Sequence, residues 1–228
     1  MDENELKIEV AACCRVFEFL GLFDFSGHAS VRIPGTDTFL INSRDSVRSV
    51  IKPENIIKVD LEGKSLEEGV KPPSEVFIYT AIYKHFPDVS AVAHLHSPAI
   101  ISLSVLGKAY VPVIPRGSIF PDGIPVFEDS RLINSRERGL ALAKALGSNR
   151  AVVLRGHGSV AIAESLKAVL FRAYFSELNA KYQMDAYRAG QEPQRLPEDE
   201  IKEANAHYSG RLYDKVWNYF FHKANITF

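Results

Sequence analysis

The sequence predicts an α/β fold, a single domain over residues 1–228 built on a mostly antiparallel central sheet. Three observations predict it. Helical periodicity marks both ends of the chain, strand–turn–strand signals lie between them, and two short apolar runs bend around a Gly-His-Gly turn. A chain of 228 residues is long enough to bury a substantial core, and its 46% hydrophobic content is ordinary for a globular protein.

Residues 5–20, ELKIEVAACCRVFEFL, place Leu6, Val10, Cys13, Cys14, Phe17 and Leu20 at helical spacings, and Gly21 is a stop signal. GHASVRI and TFLINS flank PGTD and read as a strand–turn–strand unit. IIKVDLEGKSLEEG reads as another strand pair, bent at EGK. SEVFIYTAIYKHF reads as a helix, entered through Pro72 and Pro73 with Ser74 as N-cap. SAVAHLH is a short strand that ends before Pro98, which lacks a backbone donor and restricts the residue before it. AIISLSVLG is a short helix, and residues 110–130, rich in Pro and Gly, mix strand and loop. SRERGLALAKALG is a helix stopped at Gly147, and AVVLRGHGSVAIA supplies two strands. A long helix follows over residues 164–189, with Leu166, Val169, Leu170, Ala173 and Leu178 as core candidates. A last helix over residues 198–222 carries an apolar stripe of Leu212, Val216, Trp217 and Phe220.

The totals exclude several function classes. Lys and Arg number 27 against 28 Asp and Glu, a net charge of −1, so no global field draws in nucleic acid or an anionic membrane. Anion recognition must be local. The two cysteines, Cys13 and Cys14, are adjacent, and adjacent Cα atoms are closer than a disulfide prefers. No disulfide framework is expected, which fits a reducing cytoplasm. The acidic start, MDENE, lacks the basic and apolar regions of a signal peptide, and no apolar run nears the roughly 18 residues of a membrane span.

The chemistry concentrates in AVAHLHSP, residues 91–98. Alternate strand residues share a face, so Val92, His94 and His96 lie together while Ala91, Ala93 and Leu95 face the other way. Two imidazoles side by side suit one divalent ion. His157, in LRGHGS, is the candidate third ligand, because glycines on both sides allow a sharp turn that projects the ring. Three histidines with an open position form a catalytic rather than a closed structural zinc pattern; Mn²⁺, Fe²⁺ or Co²⁺ also suit such a set. His-x-His pairs also arise on exposed strands without any ligand. Glu75 has two readings as well. It is a proton-shuttling carboxylate beside the metal, or an early helical acid complementing the helix dipole. His85 reads as a solvated helix end and His222 as surface.

His94-x-His96, His157-Gly158, and Glu75 in PSE ahead of a helix together resemble the class II aldolase and adducin head family. The resemblance covers essentially the whole chain, and the His96-to-His157 spacing resembles the fuculose-phosphate aldolase branch. It implies a three-layer α/β/α fold, a homotetramer with active sites between subunits, and one Zn²⁺ or Mn²⁺ per chain stabilising an enolate-like intermediate. It also implies that His94, His96 and His157 are the ligands and Glu75 the acid/base residue. Adducin-type members lack the metal histidines; this chain keeps all three, which weighs against a purely structural scaffold.

The sugar-phosphate branches carry Gly-Asn near the first strand, Ser-Gly after the second and Ser-Ser before the glutamate. Here the corresponding segments read Gly27-His28, Asn42-Ser43-Arg44-Asp45 and Pro73-Ser74. Part of the glycine freedom that a phosphate cradle needs is lost, and His28 and Arg44 are gained. GHASVR, FLINSR and LRGHGSV resemble instead the branch that decarboxylates hydroxylated aromatic dicarboxylates. Gly27, His28, Arg44 and Ser74 are the expected substrate contacts, with His28 and the Arg44 fork on a substrate carboxylate. The blander readings are a turn residue for His28 and surface ion pairs for Arg44 and Arg155. Tyr208 and Tyr213 are candidates for closing a neighbouring subunit's site. The expected function is a metal-dependent carbon–carbon lyase, a decarboxylase of a hydroxy-acid or hydroxyaromatic carboxylate. A sugar-phosphate aldolase or epimerase is the alternative, and a non-catalytic scaffold the third reading.

Overall fold

The computed structural model describes residues 2–228. Helix α1 (Glu3–Phe19) starts two residues before the predicted point because Asp2 and Glu5 form a capping box: each side chain accepts the other's backbone N–H at 2.8 Å. The strands follow as β1 (His28–Arg32), β2 (Thr38–Asn42), β3 (Ile56–Asp60), β4 (Ala91–Leu95), β5 (Val126–Phe127), β6 (Ala151–Leu154) and β7 (Gly158–Ala163). Helices α2 (Val76–His85), α3 (Pro98–Val105), α4 (Arg136–Leu146), α5 (Leu166–Arg188), α6 (Glu198–Ala206) and α7 (Gly210–Lys223) complete the described elements. Among the described residues the strands form one seven-stranded sheet in the order β3-β2-β1-β4-β7-β6-β5, antiparallel except at the β5–β6 edge.

Three layers result. One sheet face presents Ala29, Ala91, Ala93, Ala161 and Ala163 to α1 and α5, with Trp217 and Phe220 of α7 in the same core. Register puts these alanines side by side, Ala29 opposite Ala93, Ala93 opposite Ala161 and Ala91 opposite Ala163. A floor without bulk lets the helices pack close. The other face carries Phe39, Ile41, Val92, Val160 and Ile162 against α2 and α4. A third cluster joins α3, Tyr110 and Phe120 to Ala180 and Met184 of α5.

Four expectations need correction. Ser65 makes only an isolated bridge to Val59, so the second arm of the 56–69 strand pair is not a strand. The N-cap of α2 is Glu75, not Ser74, and it makes no side-chain cap bond. The C-terminal helix is two helices, broken where Ser209 takes extended backbone before Gly210. Leu178 is only half-buried, and Phe171 and Ala180 fill the core instead.

The chain re-enters the sheet region after β4 through α3, whose first turn is tied to the long helix. Glu177 of α5 accepts the Ala99 N–H at 3.0 Å and the Ile100 N–H at 3.2 Å. Burial pushes the Glu177 carboxyl up, and those two N–H bonds work against the rise. Glu177→Ala leaves two helix-start donors without their acceptor. It is expected to lower stability by about 1–3 kcal/mol, read as a shift in the urea midpoint, with Glu177→Gln losing less.

Candidate active site

The sheet's central strands place the predicted ligands. His94 is the fourth residue of β4 and His28 is its cross-strand partner on β1, so both rings project from the α2 face, 5.5 Å apart between centroids. His96 stands one residue beyond β4, anchored by its own N–H to the Leu22 carbonyl at 2.9 Å. His157 sits in the turn between β6 and β7, its N–H bonded to the Leu154 carbonyl at 3.0 Å. The turn reaches the end of β4 only because residue 158 is glycine. A Cβ there would lie 2.2 Å from the Leu95 carbonyl oxygen and 3.3 Å from Cε1 of His94.

The three rings converge, with one nitrogen from each within 4.8 Å of the others. Nε2 of His94 and Nε2 of His96 are 3.2 Å apart. Tetrahedral zinc with nitrogen ligands at its usual bond length separates them by roughly 3.3 Å. The hydrogen-bond partners of the opposite ring atoms decide what these nitrogens carry. Nδ1 of His94 faces the Ser159 carbonyl at 3.2 Å, and Nδ1 of His96 faces the Asp24 carboxylate at 2.9 Å. Both partners only accept, so both Nδ1 atoms bear the proton and both Nε2 atoms present lone pairs. Two acceptors at 3.2 Å need a shared cation or proton between them. Burial, then the neighbouring His94, lowers the His157 imidazole to about 4, and burial lowers His96 as well, so both are neutral ligand donors at pH 7. The donor set fits a divalent metal.

Glu75 completes the cluster. It turns away from the helix it precedes: Oε1 accepts the Ile133 N–H at 2.9 Å, and Oε2 lies 3.4 Å from Nε2 of His94 and 3.7 Å from Nε2 of His157. Burial raises its carboxyl, but His94, the Ile133 N–H and His157 outweigh that and hold it at about 2, an anion. The dipole-capping reading of Glu75 therefore gives way to a carboxylate facing the imidazoles.

The predicted substrate contacts divide. His28 is buried beside His94, its Nδ1 without a hydrogen-bond partner, and burial holds it well below the ordinary imidazole value. It is therefore a strand residue and not a turn residue. Gly27 owes its missing side chain to Phe23, whose ring would lie 2.2 Å from a Cβ. Arg44 is exposed, with Nε on the Pro72 carbonyl at 3.1 Å, and Ser74 is exposed on the same approach to Glu75. Arg155 pairs with Glu128 at 3.0 Å, as the surface reading expects. Tyr208 bonds Ser118 at 3.0 Å and both Tyr208 and Tyr213 pack on Phe171 of α5, so within this chain both are held in its own packing.

Two residues went unmarked in the sequence. Arg48 is buried and donates from Nε to the Gly27 carbonyl at 2.7 Å and from Nη1 to Ser46, fastening the loop after β2 to the start of β1. Asp24 holds His96. An Asp-x-Ser turn ahead of Gly27-His28 was the one available signal for Asp24; Arg48 had none, since its partner lies 21 residues away in the chain.

Fold and site together describe an α/β scaffold with three histidines that could hold a metal ion, and the comparisons give it a family. A sequence model of the Class II Aldolase and Adducin N-terminal domain matches residues 8–184, and the chain belongs to that family. The 3,4-dihydroxyphthalate decarboxylase of Rhodococcus jostii is 30% identical over 83% of this chain and 85% of its own. Decarboxylase NovR of Streptomyces niveus is 30% identical over 84% of this chain and 73% of its own. An aldolase II superfamily protein from Pseudomonas syringae superposes with a TM-score of 0.87 at 24% identity, over 97% of this chain and 92% of that one. These relatives support an enzyme of the lyase type. Among the described residues no helix is long and apolar enough to cross a membrane.

Gly158→Ala drives a methyl group into the Leu95 carbonyl and must part β4 from the turn. The expected outcome is a destabilisation of about 1–3 kcal/mol together with weakened metal uptake, read by denaturant titration and by metal analysis of the purified protein.

Proposed function

We propose that this chain is a divalent-metal-dependent decarboxylase of a hydroxyaromatic carboxylate. Its metal, Zn²⁺ or Mn²⁺, would be held by His94, His96 and His157. One observation carries the reading. An anionic Glu75 oxygen stands 3.4 Å and 3.7 Å from two of three converging imidazole nitrogens, in a chain similar to dihydroxyphthalate decarboxylases along most of its length. A bound divalent cation supplies Lewis-acid stabilisation of an oxygen that gains negative charge as a carbon–carbon bond breaks.

The chain's own residues do the rest. Glu75, fixed by the Ile133 N–H, takes the phenolic proton of the arriving substrate and returns a proton to the ring carbon that has lost CO₂. His28, buried with a free ring nitrogen beside His94, offers a polar contact to the substrate. Arg44 and Ser74, on the approach to Glu75, are the proposed contacts for a second carboxylate, with Gly27 shaping the wall behind His28. Phe25 is 86% exposed between two residues that touch His96, which supports the expectation of a tetramer whose neighbouring subunit covers the mouth. The replacement of the glycine-rich phosphate cradle by Asn42-Ser43-Arg44 weighs against the sugar-phosphate aldolase alternative.

Purified protein should carry about one divalent ion per chain and release CO₂ from an ortho-dihydroxy aromatic dicarboxylate, with no retro-aldol cleavage of a ketose phosphate. Glu75→Gln should lower kcat by about 10²–10⁴-fold with its metal content kept. Absence of metal from the wild type, or aldol cleavage without CO₂ release, overturns the proposal.

A further inference from the structure

The three imidazoles are oriented by unequal means. His94 lies within β4 and its ring is held by the Ser159 carbonyl of the next strand. His96 has left the ladder, and its backbone and its ring are both gripped by one short segment, residues 22–26. Within that segment Asp24 uses its two oxygens for two different tasks. Oδ1 accepts the Ser26 N–H at 2.7 Å and the Ser26 hydroxyl at 3.0 Å, which makes a local turn. Oδ2 reaches Nδ1 of His96 at 2.9 Å, and the Ser26 hydroxyl stands 3.5 Å from the same nitrogen. The turn explains Oδ1. It does not explain why Oδ2 of a half-exposed aspartate is spent on an imidazole 72 residues away in the chain.

We infer that Asp24 is a positioning residue of the metal centre, which fixes the Nδ1–H tautomer of His96 and aims its Nε2 lone pair at the point shared with His94 and His157. A carboxylate in this place orients the ring and raises the ligand's basicity, and loss of such a partner commonly weakens metal affinity by about 10–100-fold. The segment continues directly into Gly27-His28, so the same turn that aims a ligand also sets the start of β1 beside it. The inference rests on the metal-centre reading given above.

Asp24→Asn separates the two tasks. Its single amide oxygen can serve the Ser26 turn or the His96 ring, not both. Chelator-stripped full-length protein is titrated with Zn²⁺ in competition with a chromophoric chelator, and with Co²⁺ while the visible ligand-field bands are recorded. Asp24→Asn and Asp24→Ala should bind about 10–100-fold more weakly than wild type, with altered Co²⁺ bands. The metal-free melting temperature of Asp24→Asn should stay close to the wild type's, because its amide oxygen can still serve the Ser26 turn. Wild-type affinity in Asp24→Asn, with His94→Ala unable to bind, overturns this inference alone. A wild type that takes up neither ion overturns it together with the metal-centre reading.

Discussion

Three imidazole nitrogens and one carboxylate oxygen are held face to face at the end of β4, and the structure around them fixes the direction of each. Nothing in the local chain draws two imidazole lone pairs to 3.2 Å or brings a carboxylate up beside them. Each group is fixed from behind instead: His94 by a strand carbonyl, His96 by an aspartate, Glu75 by the Ile133 N–H. His157 is the exception. Its Nδ1 is buried without a partner, so the Gly-His-Gly turn alone sets its direction. A divalent cation at the centre, as proposed for this site, would act on all four atoms at once.

The convergence of the three histidines was legible because its geometry follows from short-range rules. Strand alternation puts His94 on the same side as Val92, and glycines around His157 announce a tight turn. The sheet, its antiparallel sense and the order of helices were legible for the same reason. What escaped involved partners distant in the chain or competition between two good local solutions. Ser74 is a sound N-cap by composition, yet the helix begins only after Glu75, whose carboxylate meets Ile133 and the histidines. A tertiary contact displaced a cap. Ser65 reads as a strand residue, but only one bridge to Val59 forms before the chain turns toward α2.

Asp24, Arg48 and Glu177 show the limit most plainly. Each is an ordinary charged residue on the page of the sequence, and each is committed to a partner far along the chain. All three act on backbone or rings near the imidazole cluster: Arg48 on the Gly27 carbonyl, Asp24 on His96, Glu177 on the helix that begins at Pro98. Charge alone does not mark such residues, since most charged side chains are solvated. Only their burial or their unshared oxygens distinguish them.

The alanine floor beneath β4 divides the sheet into two sides with different freedoms. Ala91 and Ala93 lie against helices at contact distance, and a larger side chain there has nowhere to go without moving α1 or α5. At the end of the opposite side, the residues around His94 face polar groups from a strand start, a helix start and a turn, none of which is committed to core packing. A change of side chain on that side meets other polar groups, not the close helix contact that confines the alanines.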